Sequence, residues 1–379
     1  MKLPAPLSNP ARAAIWAIAG LAAACGGRAD NVPPGSSTGA PPGEAPPSPV
    51  TTCDPSAAAD IEVSSDDLNG FPPYATAGCT LAYVNRAGDL VVRDLATRAE
   101  SVVAPAAERP RRPTASAQVV AWEADESGHS VVRVRSGGTV KTIEGAFASA
   151  GEPRASATSV AFTAWNGPLS TDDTDVGLYD ATTAEVRMVL VGPGQQRFAD
   201  VSSTHVAASD FSEDPDGRFD NDGKDLADIV VFDRATGALV KRPLPGKQAF
   251  PMLAEGGIVA YLAWNGVHPE PKFVAYELRS GQVGGDPLAD AKIADVVYAS
   301  TEYARPAVVS GTLEWIANPD GRTTLYRAPA DGSSVPLAVK GLDDLRLYAP
   351  SPTSAGFTVL ATSPVGSAAA APRLRAVPR

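Results

Sequence analysis

The densest run of chemistry-bearing side chains is SDFSEDPDGRFDNDGKDLAD at 209–228, with eight acidic and two basic residues. Crowded carboxylates repel one another unless water solvates them or a cation bridges them, and calcium takes about six to eight oxygens from such loops. Asp220, Asp222 and Gly223 fit the third, fifth and sixth places of D-x-[DN]-x-[DN]-G, but Arg218 falls on the first. The expected ligands of a structural calcium are Asp216, Asp220, Asp222 and Asp225. The competing reading is a solvated acidic excursion.

Other chemistry is sparse. His129, His205 and His268 have no metal-ligand spacing. Gly35-Ser36-Ser37-Thr38-Gly39 matches the hydrolase pattern G-x-S-x-G, but that motif needs a strand before it and a helix after it. Its surroundings are a Pro/Gly/Ser-rich stretch that supplies neither. Walker A and dinucleotide patterns are absent. No catalytic residue is assigned, and the expectation is a protein that is not an enzyme.

The elements that must carry these residues are repeats. VAFTAWNG at 160–167 and VAYLAWNG at 259–266 are near copies. Related apolar runs begin at Leu81, Val120, Val206, Leu313 and Phe357, giving steps of 39, 40, 46, 53, 54 and 44 residues. A proline lies seven positions upstream in four units (Pro113, Pro153, Pro306, Pro350) and eight upstream in two more (Pro73, Pro251). Each unit continues with a second β-rich run that enters an Asp/Thr/Gly turn, as DIVVFDRATG does at 228–237. No long stretch after residue 57 has helical periodicity.

Units of ~40–50 residues, each a small four-stranded sheet, predict an all-β chain built as a β-propeller. Seven blades fit 58–379, with six or eight as alternatives. Trp165 and Trp264 then sit at strand exits as packing residues between blades. The seventh unit ends at RLRAVPR, a third strand, and ADIEVSS at 58–64 is spare; pairing the two would close the ring.

The N-terminus is a processing segment. Lys2 and Arg12 precede the apolar run AAIWAIAGLAAA at 13–24, shorter than the roughly 20 residues a spanning helix needs. Ala22, Ala23 and Ala24 before Cys25 resemble a bacterial lipoprotein signal, which implies cleavage after residue 24 and lipid on Cys25; cleavage after an Ala-x-Ala is the alternative. Gly26, rather than Asp, after the cysteine implies the outer membrane under the family's sorting rule. Residues 25–57 read as a flexible tether, and 58–379 as the propeller domain. Without Lys2 and Arg12 the charge is 30 − 43 = −13, poorly suited to nucleic acid. Cys53 and Cys79 are left as a pair, and in an oxidising compartment a disulfide is expected.

The chain resembles the TolB-like, WD40-like (PD40) propellers of bacterial envelope proteins. The residues that carry the likeness are the upstream Pro, the VAF/VAY strand, the DxxTG hairpin of Asp233–Gly237, and Asn318-Pro319-Asp320-Gly321 beside the family's SPDG turn. The resemblance covers most of 70–379. It implies binding of other proteins or peptides across the ring; with the Cys25 signal, the expectation is a lipid-anchored binding or scaffold module for a protein, peptide or glycan, touching the membrane through its anchor only and monomeric. The alternative class is a propeller hydrolase or lyase with its site at the channel mouth.

Basic residues recur near the start of each inner strand: Arg111, Arg112, Arg154, Arg197, Lys247, Arg305 and Arg346. Arg112 and Arg305 each precede the marker proline, so pseudo-symmetry places them equivalently. Arg112, Arg154, Arg197 and Arg305 are the candidate ligand-binding residues, because guanidinium suits bidentate capture of carboxylate or phosphate. An acidic peptide segment or an envelope protein is the expected partner. The bland alternative is local pairing with carboxylates such as Glu108, Glu152 and Glu302.

Overall fold

The computed structural model describes residues 52–68, 70–167, 173–219, 226–264, 273–299, 305–317, 323–366 and 370–379. The signal segment, Cys25 and the tether to residue 51 lie outside them, as do Asp220, Asp222, Asp225, His268 and the 318–321 turn.

Seven four-stranded antiparallel sheets follow one another as blades, at 74–104, 111–142, 149–190, 196–242, 248–299, 307–338 and 345–378. Strands pair in chain order from the inside outward in the first six. The repeated octapeptide forms the second strands of blades three and five, Ser159–Trp165 and Ile258–Trp264. Trp165 is buried and Trp264 partly buried. These second strands are buried over most of their length, because each sheet is covered on both faces by its neighbours. Separate apolar clusters therefore fill the seams, such as the one joining Ala161, Val176 and Leu178 of blade three to Ala199, Val206 and Ala208 of blade four.

Four inner strands share a device that accounts for the marker proline. In Arg111–Ala115, Ser149–Ser156, Gln196–Val201 and Gln248–Ala254 two residues face one partner on the second strand. The first residue of each bulge takes a left-handed conformation: Arg112 (φ 51°), Glu152 (φ 53°), Phe198 (φ 58°) and Phe250 (φ 56°). Such backbone is costly for a side chain bearing a Cβ, and bulges use it to re-aim side chains. The second residue is Pro113, Pro153, Ala199 or Pro251, placed where the ladder is interrupted and a missing N–H does least harm.

The ring closes through the segment before blade one. Asp60 N donates to Leu374 O (3.1 Å), Leu374 N to Ile61 O (2.9 Å) and Val63 N to Pro372 O (3.0 Å). Residues 60–63 thus lie outside Arg373–Pro378, the third strand of blade seven, as its fourth. The inner edge of blade seven is broken in two, Leu345–Leu347 and Ser351–Thr353, both paired to Phe357–Pro364. The Tyr74 hydroxyl donates to Ala349 O (2.5 Å) and accepts from Ala361 N (2.9 Å), tying blade one to blade seven.

Cys53 and Cys79 form a disulfide with Cα atoms 5.2 Å apart. Cys79 sits in the turn just before the second strand of blade one, Thr80–Val84, one residue short of the strand. The folded body also begins earlier than 58: Ala57 and Ala58 are buried, and Cys53 packs against the blade one–blade seven cluster. Among the described residues no helix is long and apolar enough to cross a membrane.

Candidate functional site

The inner strands start on the face that carries the second-to-third-strand loops, and there the segment before blade one crosses to the axis. Phe71 comes from this segment and is 7% exposed. Its ring lies 6.3 Å from Phe198, which in turn is 4.5 Å from Phe250 and 4.9 Å from Phe219. Two of these rings, Phe198 and Phe250, stand at bulge positions of adjacent blades. Phe211 and Phe219, at the base of the acidic excursion, complete the cluster.

The basic residues surround this aromatic cluster, and most are already paired. Arg111 bonds Glu123 (2.5 Å) and Asp125 (2.6 Å). Arg112 lies 3.2 Å from Glu123 and 3.4 Å from Asp67, with its guanidinium 4.6 Å over the Phe71 ring. Arg197 pairs with Glu152 of the neighbouring blade and covers Phe198 at 4.9 Å. Burial opposes ionisation of Glu152, but Arg197, Arg112 and the Thr163 hydroxyl together hold its carboxyl below the ordinary glutamate range. Arg305 is 5% exposed and donates to the carbonyls of Phe198 (3.2 Å), Ala199 (3.3 Å) and Pro251 (2.8 Å). Arg112 and Arg305 are thus not equivalent in environment: Arg112 is ion-paired to Glu123 and Asp67, while Arg305 donates to three carbonyls and acts on Asp200 through its charge.

Beyond the aromatic cluster the channel widens into a cavity of about 160 Å³, lined by residues from all seven blades, from Thr76 in blade one to Ser351 in blade seven. In blades two to five its lining falls on the later halves of the inner strands, through Thr114, Arg154, Asp200 and Met252. Three charged side chains line it: Arg154, Asp200 and Arg305. Asp200 accepts a bond from Leu253 N (2.7 Å), and burial pushes its carboxyl above the usual range despite Arg305 and Arg154. Arg154 differs from the rest. Among the described residues its guanidinium has no hydrogen bond or salt bridge; it lies 5.6 Å over Phe71 and feels Asp200 and Glu152 only through space. Burial pulls its pKa down against those two carboxylates. The cavity carries two cations and one anion, a surplus of one positive charge.

The acidic excursion is described only at its ends. Asp216 N donates to Asp214 Oδ1 and Arg218 N to Asp216 Oδ1, both at 3.0 Å. Lys241 Nζ stands among Glu213 (2.6 Å), Asp228 (3.1 Å) and Asp210 (3.8 Å), so an ammonium already bridges the carboxylates at the base of this loop. Three of the four expected calcium ligands fall outside the described residues. His205 bonds Thr204 through Nδ1 (2.8 Å) and lies 3.9 Å from Asp233. His129 begins a third strand in blade two. Neither approaches the channel cavity lining.

Phe71, Asp67 and Asp200 were not singled out by the sequence. A signal existed for the aromatics: aligning the units on the marker proline puts Phe198 and Phe250 in one column with Arg112 and Glu152.

No family model matches the chain, and no curated protein matches it. Solved structures do. The propeller domain of the Trilobed protease from Pyrococcus furiosus is 13% identical with a TM-score of 0.54, over 84% of this chain and 93% of that one. An acylaminoacyl peptidase from Pyrococcus horikoshii is 11% identical with a TM-score of 0.54, over 86% of this chain and 52% of its own length. TolB from Acinetobacter baumannii is 14% identical with a TM-score of 0.43, over 74% of this chain and 63% of that structure. The chain therefore spans about half of the peptidase and less than two thirds of TolB. At these identities the likeness is one of fold. The protein is an all-β, seven-bladed propeller, and TolB structures are among the solved propellers it matches.

Proposed function

We propose that the chain is a non-catalytic binding module, held at the cell envelope by lipid on Cys25, whose channel cavity receives a carboxylate from an acidic segment of a partner protein. The observation that carries this reading is Arg154. A guanidinium facing a cavity with a surplus positive charge is costly unless an anion meets it. The planar fork matches two oxygens of a carboxylate or a phosphate, and the carboxylate of an acidic segment is the occupant proposed. Arg112 and Arg197 already hold carboxylates and are assigned to organising the aromatic cluster, and Arg305 to fixing the inner strands.

The test is fluorescence anisotropy of a labelled Asp/Glu-rich peptide with the full-length protein. Affinity should fall as salt rises, and Arg154→Gln should weaken it by about tenfold or more, the loss of a charged hydrogen-bond donor. Asp200→Asn should strengthen it. Equal affinity for wild type and Arg154→Gln ends this reading. Anchoring is tested apart: Cys25→Ser should move the protein from the membrane to the soluble fraction with the propeller intact. A structural calcium at Asp216, Asp220, Asp222 and Asp225 is a separate proposal, tested by thermal shift: calcium should raise the melting temperature of the wild type and not of Asp220→Ala/Asp222→Ala.

A further inference from the structure

A second cavity, of about 450 Å³, lies off the axis between blades one and two. Three separate segments wall it: the entry segment 64–73, the blade-one loop at 84–88, and the blade one–blade two connection at 106–112. Phe71, Pro73, Val84, Ala106 and Pro110 give it an apolar body, and charged side chains rim it. A concave apolar pocket with few polar groups at its edge is the usual form of a small-molecule site.

The walls are held in place without a ligand. Asp89 Oδ1 accepts from Ala106 N (2.8 Å) while Asn85 Oδ1 accepts from Asp89 N (2.9 Å), which fixes the loop to the connection. Gly88 (φ +93°) approaches so closely that an added Cβ would lie 3.1 Å from the Ala106 Cβ. Pre-formed walls spare a ligand the ordering cost of building its own site.

The charges decide what would bind. Arg109 pairs with Asp125 (3.3 Å), Arg111 with Glu123 and Asp125, and Arg112 with Asp67 and Glu123. The lining itself carries three arginines and two aspartates, but the three guanidinium groups are held by Asp67 and by Glu123 and Asp125, which stand outside the lining. Asp66 is the remaining carboxylate on the rim. Only its backbone is engaged, through Ser64 Oγ (3.2 Å), and among the described residues its side chain has no ion pair. An anion entering here would meet Asp66 and arginines that already hold partners.

We propose that this cavity is a binding site for a small organic ammonium ion, its apolar body between Phe71, Val84 and Pro110 and its charged nitrogen at Asp66. The site shares no lining residue with the channel cavity and does not rest on the carboxylate reading.

The probe is 2-phenylethylamine, with 2-phenylethanol and 3-phenylpropionate as neutral and anionic counterparts, titrated into full-length protein by ligand-observed NMR. The amine should bind saturably in the millimolar range or tighter, ahead of the alcohol, with the carboxylate weakest. Asp66→Asn should weaken the amine by about three- to fivefold, the worth of an exposed charge pair, and leave the alcohol unchanged. Ala87→Trp, which fills the rim, should abolish both. Arg154→Gln should change none of this, which distinguishes the site from the channel. Absence of saturable amine binding overturns the proposal, as does equal affinity for the three probes or an Asp66→Asn variant that binds the amine like wild type. Because Asp66 is exposed, that variant keeps its fold and decides the matter even where Ala87→Trp does not.

Discussion

Two arginines show how the same side chain becomes structure in one place and a candidate receptor in another. Arg242, on the outer strand of blade four, is 1% exposed and meets Asp290 at 2.5 Å. It also donates to the carbonyls of Gln282 (2.6 Å), Val283 (2.8 Å) and Gly285 (3.1 Å), while the Tyr261 hydroxyl donates to the same Asp290 oxygen, Oδ2 (2.7 Å). Both terminal nitrogens of that guanidinium are met by blade five, and only Nε is left buried without a partner. Arg154 faces a cavity and meets none of this. Arg242 is fully buried and Arg154 only partly so. What separates them is whether the surrounding backbone and carboxylates close around the fork.

The sharpest way to break this comparison is to truncate the lock. Arg242→Ala leaves Asp290 buried without its cation and three carbonyls without a donor, and should cost about 3–5 kcal/mol in denaturant unfolding. A loss below 1 kcal/mol would mean that the blade four–blade five seam does not depend on the pair. Glu314 makes the same kind of lock between blades six and seven, with Arg327 (2.8 Å), Arg379 (3.2 Å) and the Thr358 hydroxyl (2.6 Å). Its removal should fall in the same range.

Next in size is the clasp at the ring's entry. The Cys53–Cys79 bridge spans 26 residues, and opening it by Cys53→Ser/Cys79→Ser should cost about 3 kcal/mol through the freed chain. The loss should appear first as faster amide exchange in residues 60–63, which form the outer strand of the last blade. Uniform exchange across all blades would show that closure does not rely on the clasp.

The blade count, the octapeptide strands, the closing segment and the cysteine pair were all legible in the sequence, because each rests on local pattern or on a pairing forced by elimination. The bulge was only half legible. The proline column marked its place, but a left-handed residue at Glu152 or Phe250 follows from two strands' register, which no single unit displays. The ion pairs were least legible. Glu152 receives Arg197 from 45 residues away, and Asp67 meets Arg112 because an entry segment crosses the channel mouth. Arg112 and Arg305 stand alike beside their prolines in sequence; in space they differ because blade two offers Glu123 and blades four and five offer carbonyls.

A smaller effect sharpens the comparison from its other side. Arg154→Met removes a cation that the described residues leave without a hydrogen bond, and keeps a flexible apolar chain over Phe71. Stability should hold or rise, with any loss no more than about 0.5 kcal/mol, the usual scale for sites without a committed partner. A loss approaching that of Arg242→Ala would make Arg154 a structural residue and remove the basis for the carboxylate reading.

The smallest expected effect separates two aspartates. Asp54 is exposed at the ring's entry, where the Arg98 guanidinium (2.5 Å) and the Ser56 hydroxyl and amide lower its pKa from 3.8 to about 2. A depressed carboxyl contributes stability above its unfolded pKa, and that contribution is lost as pH falls from 3.8 through about 2. Asp200 runs the other way: burial raises its pKa, so its contribution is present at low pH and is lost as pH rises through the raised value. Carbon-detected NMR of the carboxyl groups should show Asp54 titrating near 2, returning toward 3.8 in Arg98→Ala, with little change in unfolding because an exposed pair is largely screened. Asp200 should titrate above the ordinary aspartate range and move down when an acidic peptide is absent rather than bound, since a second carboxylate beside it disfavours its charge. An Asp200 signal indifferent to the peptide would place the peptide outside the channel cavity.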